Sequence, residues 1–222
     1  MSGIVGSYFN TRGSGVVAKL GTDGQVFTST GAGLSQGFEA AAGGGAWNLI
    51  KSQSITSSTA DMEWIDGTSD VVLDNTYKCY VLLMTDYLAE NDESSLDIQI
   101  STDTGSTYET SGYYTVGSES FYGAAQGNQQ IVDTGSMVMR NHIGNDATET
   151  VQGQLWIYNP SSATTYPTMG WQFYFAMGGG GMARPINGVG GYQTATAYDA
   201  FRIIPDSGNI INLQASLYGI TT

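Results

Sequence analysis

From Trp47 onward, the chain consists of short apolar or alternating runs that are separated by turn residues. The clearest alternation is SLDIQIS at 95–101, where every second residue from Leu96 to Ile100 is apolar and polar residues lie between them. A period of two residues predicts a strand with one buried and one solvated face.

Other segments also have strand character. YKCYVLLMTDY at 77–87 is almost continuously apolar, which is typical of a central strand covered on both faces. GGGGMARPINGVGGY at 178–192 is interpreted as a long surface loop because of its glycines. The remaining predicted strand segments are 47–55, 60–66, 108–116, 130–141, 153–162, 170–177, 200–209 and 210–220.

These patterns predict the fold class. About nine to eleven strands separated by turn signals, without helical periodicity, indicate an all-β protein. We expect residues 47–222 to form one β-sandwich domain that is jelly-roll-like. Acidic residues and Pro205 fall at strand ends, as protection of sheet edges requires.

Residues 1–46 differ from the rest of the chain. Glycine recurs every few residues, and the apolar residues are small and scattered. Such a segment cannot bury enough apolar surface to offset the entropy lost on ordering. We therefore expect an extended glycine-rich arm that is ordered by neighbours in an assembly. Residues 1–22 contain Arg12 and Lys19 and no acid, so the arm could seat on an acidic partner surface, although chance in a short segment is the favoured interpretation.

Composition excludes several classes of function. Charged residues make up 12% of the 222 residues, and 31 are glycine, which favours strands and turns over helices. The net charge of −13 argues against binding to nucleic acids or anionic membranes, both of which need basic clusters. No signal peptide or transmembrane run is evident, so we expect synthesis in a cytoplasm without export by that route.

No catalytic constellation stands out. Cys79 lies in an apolar run and is interpreted as a buried core thiol. His142, the single histidine, lies in a polar stretch and is interpreted as a surface or interface residue. There is no GxSxG motif, and no glycine cluster is followed by Lys-Ser or Lys-Thr. The sequence therefore predicts a protein that is not an enzyme and has no cofactor.

Two acidic loops offer oxygen ligands of the kind that Ca²⁺ prefers. Their residues are Glu90, Asp92 and Glu93 in one loop and Asp66, Asp70 and Asp74 in the other. Because neither loop has EF-hand spacing, solvated acidic loops are the favoured interpretation, and we expect no metal site.

Aromatic residues give the strongest indication of binding. Five lie close together in a stretch rich in glycine and serine: Tyr108, Tyr113, Tyr114, Phe121 and Tyr122. Tyrosine with serine, glycine and asparagine makes adaptable recognition surfaces at low entropic cost. These residues are candidates for contact with a glycan or a partner protein; the favoured alternative is that they fill the core and subunit contacts.

Several segments resemble parts of known proteins. They are GIVGS, NTRGSG and LGTDGQVFTSTGAG in the arm, IGNDATETVQGQLWIYNPSS at 143–162, and SGNI followed by LYGI near the C-terminus. They are similar to segments of virion structural and tail-fibre-like proteins of tailed bacteriophages, particularly marine ones. Residues 60–140 lie outside this resemblance.

The resemblance implies a capsid or tail component, commonly a homotrimer, that is released with the virion and contacts other virion proteins. Candidate anchor residues in the arm are Arg12, Lys19, Leu20, Val26 and Phe27. The expected function is a short fibre or knob for host attachment. The alternatives are a capsid decoration protein that stabilises the shell and a carbohydrate-binding module for host surface glycans.

Overall fold

The computed structural model describes residues 25–28, 37–40, 46–74, 76–120, 127–176 and 183–221. The chain divides into two compact units, Met1–Gly45 and Ala46–Thr222. In the first unit, strands β1 (Gln25–Thr28) and β2 (Gly37–Ala40) form an antiparallel hairpin. The sequence pattern did not predict these two strands.

The described residues of the second unit form strands and no helix. These strands are β3 (Trp47–Ile55), β4 (Met62–Ile65), β5 (Cys79–Ala89), β6 (Ser94–Ser101), β7 (Tyr113–Glu119), β8 (Gly127–Thr134), β9 (Met137–Ile143), β10 (Val151–Tyr158), β11 (Thr168–Ala176), β12 (Ala183–Tyr192), β13 (Ala200–Ile204) and β14 (Ile210–Ile220). In the part of the chain that is described, no helix has the length and apolar character needed to cross a membrane.

Strands in the first half of the second unit pair with strands in its second half, as in one long hairpin that is wound into two sheets. β3 pairs with β14, β4 with β13, β5 with β10 and β6 with β9, each antiparallel. These pairs alternate between two sheets, so that β3-β14-β5-β10 lie side by side in one sheet and β4-β13-β6-β9 in the other. This is the strand order of a jelly roll. The prediction of an all-β sandwich is confirmed.

Four further strands widen one sheet of the roll. The large sheet has eight strands in the order β3-β14-β5-β10-β11-β12-β7-β8, whereas the small sheet has four. β7 and β8 come from the connection between β6 and β9, and β11 and β12 come from the connection between β10 and β13. The large sheet therefore presents a broad outer surface.

The inward faces of the two sheets share one apolar core. On β5, Tyr80, Leu82 and Met84 are buried beneath the small sheet. Trp64 of β4 stacks on Phe201 of β13, with ring centroids 5.0 Å apart. Burying a large apolar side chain contributes about 1.5–3 kcal/mol, so this core stabilises the second unit without cross-links.

The faces of β6 and β5 that are buried differ from the prediction. The polar side of β6 is not solvated, because Asp97 and Gln99 are also buried. The turn between β8 and β9 supplies their partners: Ser136 Oγ donates to Asp97 Oδ2 at 2.6 Å, and Gln99 Nε2 donates to the Gly135 carbonyl at 2.7 Å. Conversely, β5 lies within the large sheet as predicted, but its middle is covered on one face only, since Leu83 is 36% exposed.

The glycine-rich segment 178–192 is not a surface loop throughout. Ala183–Tyr192 forms β12, which pairs with β11 on one side and β7 on the other. Residues 178–182 lie outside the described residues. The glycines in β12 serve close packing: a Cβ on Gly188 would lie 2.3 Å from the indole of Trp171.

One predicted strand, 130–141, is two strands in different sheets. β8 ends at Thr134 in the large sheet, and β9 begins at Met137 in the small sheet. The chain crosses between the sheets at Gly135 and Ser136, which the pattern indicated only as a bend. This split, together with β12, makes the strands in the described residues more numerous than predicted.

Candidate functional site

Among the described residues, the alternating outward positions of the large sheet from β3 to β7 carry no charged side chain. From β3 to β7, the register places every second residue of each strand on the face turned away from the core. We call this the outer face; its residues are Trp47, Leu49, Ser52, Ser54, Cys79, Val81, Leu83, Thr85, Tyr114, Val116, Ser118, Gln152, Gln154, Trp156, Tyr158, Thr168, Gly170, Gln172, Tyr174, Pro185, Asn187, Val189, Gly191, Gln214, Ser216, Tyr218 and Ile220. None of these is Asp, Glu, Lys or Arg, although the chain has a net charge of −13.

Three charged residues of the same strands occupy the alternate positions, and the fourth, Asp86, lies at the irregularity of β5, where it accepts a hydrogen bond from the outer-face residue Gln214 at 3.5 Å. Lys51 pairs with the buried Leu217, and Glu119 pairs with the buried Ile186, so both share the inward face. Arg184 is placed in the same way on β12. The neutrality of the outer face is therefore a property of the strand register.

Aromatic side chains gather at one corner of the outer face. Trp47 makes edge-to-face contacts with Trp156 and Tyr218, with ring centroids 5.9 and 5.8 Å apart. Trp47 and Tyr158 are each 43% exposed, and Leu49 is 58% exposed. Aromatic pairs of this geometry add about 0.5–1.5 kcal/mol beyond burial, so these ring contacts help to hold the corner together although it faces solvent.

Two shallow depressions adjoin on the outer face. One, of about 420 Å³, lies over β3, β14 and β5; the other, of about 560 Å³, lies over β5, β10 and β11. Leu83 and Thr85 line both, so the two depressions are neighbours across five adjacent strands, and we call them together the groove. The remaining outer-face residues that line this groove are Ser52, Ser54, Gln152, Gln154, Gln172, Tyr174, Gln214, Ser216 and Tyr218.

The groove has unused hydrogen-bonding capacity. Gln154 of β10 lies directly opposite Gln172 of β11, and Gln152 lies one outward position away. Within the described residues, the side-chain amides of these three glutamines have no hydrogen-bond partner. Each amide offers two N–H donors and a carbonyl acceptor. The fourth glutamine, Gln214, donates to Asp86 Oδ2 at 3.5 Å at the margin of the groove.

The aromatic residues predicted to contact a glycan or partner do not form one cluster. Tyr113 is fully buried and packs in the core, so it cannot contact a ligand. Tyr114 lies on the outer face of β7. Tyr108 lies against the small sheet, where its ring centre is 4.1 Å from the guanidinium carbon of Arg202. Phe121 and Tyr122 lie outside the described residues.

The candidate anchor residues lie in the first unit. Val26 and Phe27 are in β1, where they pair with Glu39 and Phe38 of β2. Arg12, Lys19 and Leu20 lie outside the described residues, so their anchoring role stays a prediction.

The structure corrects the prediction for Cys79 and agrees with the surface placement predicted for His142. Cys79 is not a core thiol: it is half-buried on the outer face, opposite Tyr158 in the register. Burial raises the pKa of this thiol, so the unreactive protonated form predominates at neutral pH. His142 lies in β9, is exposed as predicted, and has its Nδ1 3.8 Å from Glu93 Oε2.

Carboxylates of the acidic loops bond to backbone amides. Asp66 Oδ1 accepts from the Leu73 N–H at 2.8 Å, and Glu90 Oε2 accepts from the Asn209 N–H at 3.2 Å. Within the described residues, no group of three or more His, Cys, Asp or Glu side chains is placed to hold a metal ion.

A buried carboxylate lies on the polar side of the small sheet. Burial raises the pKa of Asp97 to about 6, opposed by hydrogen bonds from Ser136 and Ser95, while nearby Asp206 raises this pKa further. Asp97 Oδ1 is buried without a hydrogen-bond partner among the described residues. This environment favours the protonated acid, so ionising Asp97 costs stability.

A second buried ionic group joins the small sheet to β7 and β12, two of the strands that widen the large sheet. Arg140 of β9 donates to Glu119 Oε2 of β7 at 3.0 Å, and both side chains are about 90% buried. Arg184 lies 3.5 Å from Glu119 Oε1, and the Arg140 guanidinium lies 4.4 Å from the centre of the Phe175 ring. These contacts connect the added strands to the small sheet and do not extend to the outer face.

The glutamines of the groove were missed in the sequence, although a signal was present. In β10, Gln152, Gln154, Trp156 and Tyr158 alternate with apolar residues. An ordinary solvated strand face uses charged residues at such positions, whereas this one uses amides and rings. The signal becomes informative only when the register shows that neighbouring strands share it.

No family model matches the chain, and no curated protein matches it in sequence. The chemistry of the outer face, which is hydrogen bonding and ring contact without charge, is therefore the main basis for assigning a function.

Proposed function

We propose that this protein is a non-enzymatic structural component of a bacteriophage virion, whose jelly roll binds the host surface as a short fibre or knob. The observation that carries the proposal is the outer face: a broad, neutral, partly aromatic surface on an acidic chain.

A surface of this kind is suited to recognition. The exposed apolar residues Leu49, Leu83, Tyr158, Tyr174 and Val189 all lie on the same side of one sheet. Soluble proteins that expose large contiguous apolar patches generally use them for contact. The centres of protein interfaces are likewise depleted of charge and enriched in Tyr and Trp. The outer face has exposed apolar side chains and shares the second property, since its outward positions are uncharged and include Tyr and Trp, which supports a binding role.

The virion assignment is supported by the resemblance of the arm segments and by the division of the chain. The unit Ala46–Thr222 has its own apolar core, so it can fold without the unit Met1–Gly45. This leaves the first unit for attachment to the particle, with Val26 and Phe27 among the candidate contacts.

Two variants test the two halves of the proposal. A chain lacking residues 1–45 is expected to fold and remain soluble but to be absent from purified particles. A full-length Leu83→Gln/Tyr174→Ala variant is expected to enter particles and to reduce their adsorption to host cells. Incorporation of the truncated chain into particles would contradict the anchoring role. Normal adsorption together with a heat-sensitive shell would favour the decoration alternative.

A further inference from the structure

We infer that the groove of the outer face binds a neutral oligosaccharide. The inference rests on the proposed function in one respect, namely that the outer face is the recognition surface. It adds the chemical class of the ligand and the residues that contact it.

The charge of the groove limits the ligand. All its described outer-face residues are neutral, and the acid at its margin, Asp86, already accepts a hydrogen bond from Gln214. An anionic ligand would find no cation here and would be repelled by a chain of net charge −13. A cationic ligand would find no carboxylate within the groove. A neutral ligand is therefore the one that fits.

The unpartnered amides specify a ligand rich in hydroxyl groups. Gln152, Gln154 and Gln172 lie side by side on paired strands, which are about 4.8 Å apart in a sheet. Each amide can donate to one hydroxyl and accept from its neighbour. Adjacent hydroxyls on a sugar ring present this alternation of donors and acceptors, whereas an apolar ligand would cover the amides and leave them without hydrogen-bond partners.

Tyrosine residues lie at opposite sides of the groove. Tyr174 on β11 is 42% exposed, and Tyr218 lies on β14, three strands away. Three strand spacings place the backbones of these two residues at least about 14 Å apart. The apolar faces of sugar rings stack on such side chains, which keep a polar hydroxyl toward solvent. The separation suits an oligosaccharide of several units rather than a single sugar.

The test is isothermal titration calorimetry on the full chain. The probes are neutral gluco-, manno-, galacto- and N-acetylglucosamine oligosaccharides of increasing length, with sialylated and sulfated oligosaccharides as anionic comparators. We expect at least one neutral series to bind, with affinity rising with length and unchanged between low and high salt, because no ion pair is formed. Preferential binding of the anionic comparators would overturn the inference.

Variants locate the binding site. Gln154→Ala/Gln172→Ala and Tyr174→Ala are each expected to weaken binding by about tenfold or more. Val189→Ala is the matched control, because Val189 is 45% exposed on the same face but does not line the groove. Circular dichroism checks that all variants are folded. Equal loss in the control, or full affinity in the groove variants, would place the ligand elsewhere.

The remaining outcomes separate this inference from the proposed function. If no neutral oligosaccharide binds and light scattering shows an oligomer that the groove variants dissociate, the occupant is a second copy of the chain and the inference is wrong. If groove variants abolish adsorption to cells but no neutral oligosaccharide competes, the attachment role holds and the ligand class is wrong. If oligosaccharides bind but adsorption does not change, the inference holds and the attachment role fails.

Discussion

Replacing Asp97 with asparagine is expected to stabilise the protein at neutral pH and to remove part of the pH dependence of its stability. Asp97 lies on the polar side of β6, buried beneath the turn that contains Ser136. An asparagine retains an oxygen that accepts from Ser136 Oγ but has no charge to ionise. The perturbation therefore removes the cost of ionisation with little change in packing.

The magnitude follows from the shift in pKa. The pKa of Asp97 is raised from 3.8 to about 6, chiefly by burial. Between these two pH values the folded protein binds more protons than the unfolded chain, so the free energy of unfolding falls as the pH rises through this window. At neutral pH the ionised Asp97 lowers the free energy of unfolding by about 3 kcal/mol relative to an uncharged side chain. Below pH 3.8 the carboxyl is protonated in both the folded and the unfolded protein, and this loss of unfolding free energy disappears.

Urea unfolding across this pH range tests the prediction. The difference in unfolding free energy between Asp97→Asn and the parent should be smallest in acid and should grow toward neutrality. Asp103→Asn is a control of opposite sign, because hydrogen bonds from Thr107 and Ser101 lower the pKa of the exposed Asp103. Parallel stability curves for Asp97→Asn and the parent would refute the assignment of a buried, uncompensated carboxyl.

Three further outcomes are expected. Gly188→Ala should lower stability by about 1–3 kcal/mol, because its Cβ would overlap the indole of Trp171. Gly170→Ala is the control and should cost less in thermal unfolding, since its Cβ would meet only a carbonyl oxygen at 3.8 Å. Arg140→Ala should lower stability to urea, because it leaves the buried Glu119 with Arg184 at 3.5 Å as its partner; the loss should stay below the about 3–5 kcal/mol expected for a fully unpaired buried charge, and adding Glu119→Gln should recover part of it. A loss that this second change leaves intact would contradict the ion-pair account. Alkylation of Cys79 by iodoacetamide should be slow at neutral pH, and its rate should still rise above pH 9.0, because burial raises the pKa of the thiol. A rate that reaches a plateau below pH 9.0 would contradict this burial.

The strands that the sequence predicts best are those with an intact pattern. Predicted segment 47–55 coincides with β3, and 210–220 coincides with β14. In both, a run of strand-forming residues is bounded by turn residues, so local sequence determines the limits. The winding of β3 against β14 depends on contacts between residues more than 150 positions apart, which no local pattern records.

Predictions failed where a second surface covers the strand. Alternation in β6 correctly separates Ile98 from Asp97, but it cannot show that the turn at Gly135 covers the polar side. Glycines in β12 predict a loop when only the local sequence is considered. Position 188 is instead a glycine because Trp171 of the next strand occupies the space that a side chain would need. In each case the deciding neighbour lies on another strand.

The candidate site was missed for the same reason. The aromatic residues from Tyr108 to Tyr122 were grouped because they are close in sequence, but Tyr113 and Tyr114 point to opposite faces of β7. The groove instead joins Leu83, Gln154 and Gln172 from three strands. Pairing brings these residues together, so the site is a property of the sheet.

The neutrality of the outer face bears on how the protein associates. A solvated sheet face ordinarily carries charged side chains, which keep it from pairing with other molecules. This chain has 20 acidic residues, yet the register leaves none on the alternating outward positions from Trp47 to Ile220. Repulsion between whole molecules is long-ranged and weakens with salt, whereas contact at a neutral face is short-ranged and insensitive to salt. Raising the ionic strength should therefore leave binding to a neutral ligand unchanged while it favours contact between copies of the chain. This difference distinguishes a ligand from a second copy as the occupant of the outer face.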